Sequence, residues 1–285
     1  MKNIHILLLL FSVSILWSSC QSSSSKNPTV ELLTNSDSEA VGPYFTKDNH
    51  GNPVLCWTEL NNQDSLYRLK YAIYDLEAKA FGEPITVVGS EGSSTAAESM
   101  AKIAFKSDGT VIALFNKRFE NAKSRFASGI YYTLSSDEGE SWTLPQFIHS
   151  ETSEEYGRSF FNMCTLADGE IAAIWLDGRF GDEEKGSALF FSRTDQGEGF
   201  GIESCLDKST CECCRTEMIK DENGGIHIAY RGIQFPFENL GKQVRDMVYS
   251  FSHDNGNTFS PVKSISKDNW EIEGCPHTGP TLAQT

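Results

Sequence analysis

The sequence predicts an all-β protein, a β-propeller of four-stranded blades, on three observations. A glycine, five intervening residues and an aromatic recur at near-constant spacing. Each recurrence is flanked by one strand-like segment upstream and two downstream. An octet rich in turn residues follows the third segment of the later units. Self-similarity at a fixed period outranks local propensity, and four short strands per repeat is the pattern of a propeller blade.

The second strands make the repeat plain. They are Gly51 to Trp57, Gly109 to Phe115, Gly169 to Trp175 and Gly224 to Tyr230, with the glycines 58, 60 and 55 residues apart. Turn signals precede them: Asp48-Asn49-His50, Ser107-Asp108, Ala167-Asp168 and Glu222-Asn223. The upstream strands are Gly42 to Thr46, Met100 to Phe105, Phe160 to Thr165 and Arg215 to Ile219. The third strands are Leu69 to Tyr74, Gly129 to Leu134, Ala188 to Ser192 and Met247 to Phe251. Shorter fourth strands follow, as at Glu83 to Val88 and Pro261 to Ile265. The patterns are partly alternating and partly continuous, as expected for sheets covered on both faces. His277 to Ala283 reads as the innermost strand of a fifth blade.

Ahead of the repeats stand Lys2, an apolar run from Ile4 to Trp17, and Ser18-Ser19-Cys20. A charged start, an apolar stretch and small residues describe a secretory signal, and the following cysteine resembles a bacterial lipobox. Trp17 stands where that box usually carries Leu. The expected organisation is a signal peptide over 1–19, a lipidated Cys20 with a Ser-rich tether over 20–39, and the propeller over 40–285. The protein is then exported and anchored by lipid in the periplasm or at the cell surface. The alternatives are an ordinary signal peptide or an uncleaved anchor. The apolar run is short for a spanning helix, which needs about 20 residues.

The formal charge of −15 argues against nucleic acid as a partner. No other apolar run is long enough to span a bilayer, so the membrane link expected is through Cys20. No cofactor and no resident metal are expected.

The octets have turn chemistry. Ser135, Asp137, Gly139 and Trp142 fall as Ser-x-Asp-x-Gly-x-x-Trp, and Ser252, Asp254, Gly256 and Phe259 repeat the spacing. Ser and Asp oxygens accept from backbone amides, Gly takes positive φ, and the aromatic plugs between sheets. A degraded copy runs from Arg193 to Phe200, with Arg in place of Ser. This pattern resembles the Asp-box, or BNR repeat, of the sialidase-like β-propellers, over Gly42 to Ile265. The resemblance implies a fold with six blades in a complete ring. The chain is expected to carry four and the first strand of a fifth; the alternative is a four-bladed ring.

One propeller face gathers the loops entering the innermost strands and those joining strands two and three. Arg118, Arg158, Arg179, Arg215, Arg231 and Arg245 fall on this predicted loop face. Arginine suits bidentate binding of carboxylate, sulfate or phosphate. The opposing reading is a set of structural Arg–Asp pairs, with Asp177 and Asp246 as partners. Sialidases hold a sialic-acid carboxylate with three arginines and use a Tyr nucleophile with a Glu, and an Asp as acid/base. The resemblance therefore implies a ligand set from Arg118, Arg179, Arg215, Arg231 and Arg245, with Asp177 as the catalytic candidate. The Arg-Ile-Pro signature is absent from the first unit, which reads Val41-Gly42-Pro43-Tyr44-Phe45, and no Tyr–Glu pair is assignable. Three functions follow: an enzyme acting on acidic glycans, a non-catalytic glycan- or protein-binding propeller, or a metal- or redox-linked propeller. The expected partner is an acidic glycan or other small anion.

Besides Cys20, seven cysteines are present. Export makes disulfides the default, with Cys205, Cys211, Cys213, Cys214 and Cys275 as candidates. Four thiols in ten residues beside Cys275-Pro276-His277 also offer a soft-metal set. Cys56 and Cys164 sit in strands as small hydrophobes. The combination Cys-x-Cys-Cys-Arg with Gly-Cys-Pro-His-Thr-Gly-Pro is similar to a subgroup of exported "sialidase family" proteins.

Overall fold

The computed structural model describes residues 32–34, 37–120, 124–197, 199–237, 240–272, 274 and 276–284. The chain divides into two units, Met1–Leu32 and Leu33–Thr285. The first, with Cys20, lies outside the described residues apart from Leu32, as does Cys275.

Among the described residues of the second unit, the regular elements are β-strands. Four antiparallel sheets follow in chain order. The first blade holds β1 (Ala40–Lys47), β2 (Pro53–Asn61), β3 (Leu66–Asp75) and the short β4 (Ala80–Phe81) and β5 (Ile85–Thr86). The second holds β6 (Lys102–Phe105), β7 (Val111–Arg118), β8 (Ser128–Ser135) and β9 (Gln146–Phe147). The third holds β10 (Arg158–Thr165), β11 (Ile171–Asp177), β12 (Ser187–Arg193) and β13 (Ser204–Thr210). The fourth holds β14 (Glu217–Lys220), β15 (Ile226–Arg231), β16 (Met247–Ser252) and β17 (Lys263–Ser264). Innermost strands contact their successors, β1 to β6, β6 to β10 and β10 to β14. This is a β-propeller. The predicted innermost strand over 277–283 is not a strand. It runs without a ladder partner, and Pro280 to Gln284 line the axial channel beside Tyr44 and Glu217.

The hydrophobic cores lie between blades. Tyr71, Phe105 and Phe115 pack between the first and second. Leu114, Tyr132, Phe161 and Trp175 pack between the second and third. Leu189, Phe191, Ile228 and Tyr230 pack between the third and fourth. Because a middle sheet is covered on both sides, β11 is buried along its whole length and its sequence lacks a polar face.

The recurrent glycine has a double cause. Gly51, Gly109, Gly169 and Gly224 all carry φ between 84° and 92°, and three of them also press on the preceding blade. A Cβ on Gly169 would sit 2.0 Å from Ser107 Oγ, and one on Gly224 would sit 2.9 Å from Ala167 Cβ. The Asp preceding each glycine closes its hairpin: Asp48 Oδ1 accepts from Asn52 N at 2.7 Å, and Asp221 Oδ1 from Gly225 N at 2.7 Å.

The octets form two superimposable turns. Gly139 N donates to Ser135 Oγ at 2.9 Å and Ser141 N to Asp137 Oδ1 at 2.9 Å. Gly256 N donates to Ser252 Oγ at 2.9 Å and Thr258 N to Asp254 Oδ1 at 2.9 Å. Each closing aromatic meets an aromatic on the third strand of the blade before it. Trp142 meets Tyr71, Phe200 meets Tyr132 and Phe259 meets Phe191, with centroids 6.4, 5.1 and 4.9 Å apart. These edge-on contacts lock neighbouring blades together. In the degraded copy, Arg193 replaces the serine and reaches the next blade, donating to Asn255 O at 3.0 Å and pairing with Asp168.

Candidate functional site

The loop face carries a cavity of about 640 Å³. Its wall is assembled from the predicted loop classes. Ser99 precedes β6, Asn116 and Arg118 end β7, and Phe126 precedes β8. Ser159 and Phe160 start β10, and Glu212, Cys213 and His277 come from the last part of the chain. Serine hydroxyls, an amide, two phenyl rings, a guanidinium, a carboxylate and an imidazole converge on one space. Phe160 is held there under strain. Its φ is +53°, at a register shift in β10 between Ser159 and Asn162. The bulge is clamped from both sides: Phe160 N donates to Ser99 Oγ at 2.8 Å, and Phe160 O accepts from Thr216 Oγ1 at 2.8 Å. The first blade has the same irregularity, a register shift between Val41 and Tyr44 with Gly42 at φ +62°.

The arginines separate into different environments. Arg158 is wholly buried, with Nε 3.1 Å from Asp177 Oδ2 and a terminal nitrogen on Glu151. Arg179 donates from Nη2 to Asp177 Oδ2 at 2.6 Å, pairs with Glu203, and lies 4.2 Å over the Phe190 ring. Arg245 donates from Nη1 to Glu212 Oε2 at 2.9 Å and to Cys211 Sγ at 3.1 Å. Among the described residues, no carboxylate forms an ion pair with Arg231. It donates to Arg245 O at 2.7 Å and to Thr278 Oγ1 at 3.2 Å, beneath Trp270. Arg215 is half exposed, 3.4 Å from Glu98. Arg118 is exposed and lines the cavity. Arg231 and Arg245 meet at the Cys211–Cys214 pair, whereas Arg179 is held by Asp177 and Glu203. Arg179 and Arg245 spend their donors on carboxylates of their own protein.

Asp177, the candidate acid/base, is fully buried between two guanidinium groups, and its Oδ1 accepts from Arg179 N at 3.0 Å. That geometry is an orienting one: the carboxylate neutralises two buried cations and does not line the cavity. Asp246 departs from the Arg-partner reading. It accepts from the amides of Asn269 and Trp270 at 2.9 and 3.0 Å, holding the loop that covers Arg231.

Of the disulfide candidates, some depart from expectation. Cys205, Cys211 and Cys214 are free thiols, as are Cys56 and Cys164; Cys213 is disulfide-bonded. The Sγ atoms of Cys211, Cys213 and Cys214 lie within 4.8 Å of one another. A disulfide sulfur is a poor metal ligand, so two thiols remain as donors.

A second space, of about 270 Å³, runs along the axis among Tyr44, Lys102, Asn162, Arg215 and Glu217. Lys102 is buried over the rings of Tyr44 and Phe161, and burial pulls its pKa down to about 8. Burial raises that of Glu217. Sequence reasoning missed this pair because each residue reads as an ordinary strand charge. Only the ring brings them together.

The fold likeness to solved structures is clear. An intramolecular trans-sialidase from Ruminococcus gnavus in complex with oseltamivir carboxylate superposes with a TM-score of 0.52 at 10% identity, over 80% of this chain and 71% of that one. An α-L-arabinofuranosidase of Fusarium graminearum gives 0.51 at 11%, over 81% and 67%. A Dyadobacter fermentans protein of unknown function gives 0.50 at 13%, over 82% and 71%. No family model matches the sequence, and no curated protein matches it. At such identities the likeness is one of fold, and function rests on the site itself.

Proposed function

We propose that the protein is an exported glycan-binding propeller whose loop-face cavity takes an acidic sugar. The observation that carries this reading is the cavity wall. Arg118 is exposed on it, with the hydroxyls of Ser94, Ser99, Ser128, Ser159 and Ser187 and the rings of Phe126 and Phe160 around the same space. Hydroxyls and an amide suit sugar hydroxyls, a phenyl face suits the apolar side of a pyranose, and a guanidinium suits a carboxylate. The fold neighbours named for sialidase and arabinofuranosidase chemistry support a carbohydrate ligand. Binding is favoured over hydrolysis because, among the described residues lining the cavity, no tyrosine is present and Glu212 is the one carboxylate, already paired with Arg245. The octets serve in this reading as structural Asp-boxes remote from the ligand.

Calorimetry with sialyllactose and neutral lactose tests it. The acidic sugar should bind more tightly. Arg118→Ala should weaken it by about 1.5–3 kcal/mol, the range for hydrogen bonds to a charged group. Arg118→Lys should rescue poorly, because an ammonium lacks the fork. Equal affinity for both sugars, or an Arg118→Ala variant that binds as well as wild type, would refute the assignment. Steady release of free sugar during the titration would restore the hydrolase reading.

A further inference from the structure

Cys211 and Cys214 are placed for thiol chemistry. They flank Glu212-Cys213 in a Cys-x-x-Cys spacing, on the loop leading into β14. Their sulfurs are 3.2 Å apart, both side chains are buried, and neither is in a disulfide. Arg245 Nη1 lies 3.1 Å from Cys211 Sγ, so a fixed cation faces one of the two thiols. Glu212 holds the other side of that guanidinium contact at 2.9 Å, and Arg231 faces Cys214. The third sulfur, of Cys213, is 3.7 Å from Cys211 and already bonded, which leaves Cys214 as the thiol able to complete a new disulfide. Glu212 and Cys213, the residues between the two thiols in the chain, line the loop-face cavity, and the thiols themselves are buried behind that wall.

We propose that Cys211 and Cys214 are a peroxide-reactive dithiol beside the loop-face cavity, with Cys211 as nucleophile and Cys214 as resolving thiol. The Cys211 thiolate attacks one oxygen of a hydroperoxide. The O–O bond breaks, the departing oxygen takes up a proton, and Cys211 becomes a sulfenic acid. Cys214 gives up its proton and attacks Cys211 Sγ. The S–O bond breaks, water leaves, and the Cys211–Cys214 disulfide forms. The sulfurs lose two electrons and the peroxide gains them. Closing the bond requires the sulfurs to move from 3.2 Å to about 2.05 Å. The electrostatics agree: the hydrogen bond from Cys214, with help from Arg245, lowers the Cys211 pKa below the ordinary thiol value, while Cys214 is raised. Cys56, buried in β2, and Cys164, part-buried in β10, are the contrast, both pushed up to about 12 by desolvation. This inference does not depend on the glycan reading.

The test uses protein purified anaerobically without reductant, treated with hydrogen peroxide, alkylated in denaturant and mapped by mass spectrometry. The Ser209–Arg215 tryptic peptide should lose two alkylatable thiols as a Cys211–Cys214 disulfide, while Cys56 and Cys164 stay fully alkylatable. In Cys214→Ser, dimedone should trap a sulfenic acid at Cys211. In Cys211→Ser, peroxide consumption should fall to the level of a blocked control. Arg245→Gln should slow the reaction at neutral pH as the thiolate fraction falls, by about tenfold once the thiol pKa stands a full unit above the working pH. Wild-type protein supplies a check that needs no variant: native iodoacetamide labelling of this peptide should rise with an inflection below the ordinary thiol value. An inflection at the ordinary thiol value would overturn the proposal. So would a stoichiometric metal that must be removed before either cysteine reacts.

Discussion

Single residues on the loop face do two kinds of work, and exposure separates them. Asp177 is buried with Arg158 and Arg179 and serves as the counter-charge for both. Removing one partner of such a set leaves an uncompensated buried charge, at a cost of about 3–5 kcal/mol. Asp177→Asn should therefore lower stability by that amount in a denaturant titration. An unchanged midpoint would show that Asp177 does not hold these loops. Arg118 has the opposite character, being exposed on the cavity wall. The two could not be told apart in the sequence, because both sit just past a second strand and both read as Arg-rich loop. The acids that neutralise Arg158 and Arg179, Glu151 and Glu203, stand in loops with no motif to announce them.

Turn residues carry a second consequence. The Asp254 carboxyl accepts from the Thr258 hydroxyl and amide and from Ser252 Oγ, which hold its pKa at about 2; Asp137 is lowered for the same reason. The folded state therefore binds fewer protons than the unfolded chain near these values. The stability they contribute is complete above the unfolded pKa of about 3.9 and is lost as pH falls through the folded value. Melting temperature followed downward from neutral pH should fall less steeply for Asp254→Asn than for wild type, from a lower starting point. Parallel curves would show that this carboxylate is not an acid-sensitive link.

At the scale of elements, the octet turn is a joint between blades as well as a hairpin. Gly256 has φ +84°, and a Cβ there would lie 2.3 Å from Phe191 Cζ on the preceding blade. Gly197, the equivalent glycine of the degraded copy, has φ +85° with nothing within 4 Å. Gly197→Ala should cost the left-handed backbone penalty alone, about 1–2 kcal/mol. Gly256→Ala should add an overpacking cost of about 1–3 kcal/mol. Equal losses in the two variants would mean that the turn does not bear on its neighbour. The strands were legible for the same local reasons. Fourth strands were hardest: β5 covers only Ile85–Thr86 of the predicted Glu83 to Val88 segment and β4 lies before it, because an outermost strand pairs on one edge and is weakly patterned.

For the whole molecule, export and anchoring are proposals carried by the first twenty residues. Cys20→Ala should move the protein from the membrane pellet to the soluble exported fraction. A pellet fraction that stays unchanged in detergent-free lysate would defeat the lipid anchor. Among the described residues no helix is long and apolar enough to cross a membrane. Around the axis, the ring gathers Lys102 from β6, Asn162 from β10 and Glu217 from β14, a set that no local pattern relates.

By itself the sequence determined the repeat, its second and third strands and the hairpin turns. These follow from backbone chemistry within a few residues: a glycine with positive φ, an aspartate closing its own turn, an aromatic at a set distance. The tertiary structure alone decided which arginines are free, which cysteines are thiols and what lines the cavity. Those outcomes depend on pairings across loops and blades, such as Arg179 with Glu203, Arg245 with Cys211 and Phe160 between Ser99 and Thr216. A buried charge must find its partner in space, and sequence separation says nothing about which partner that will be.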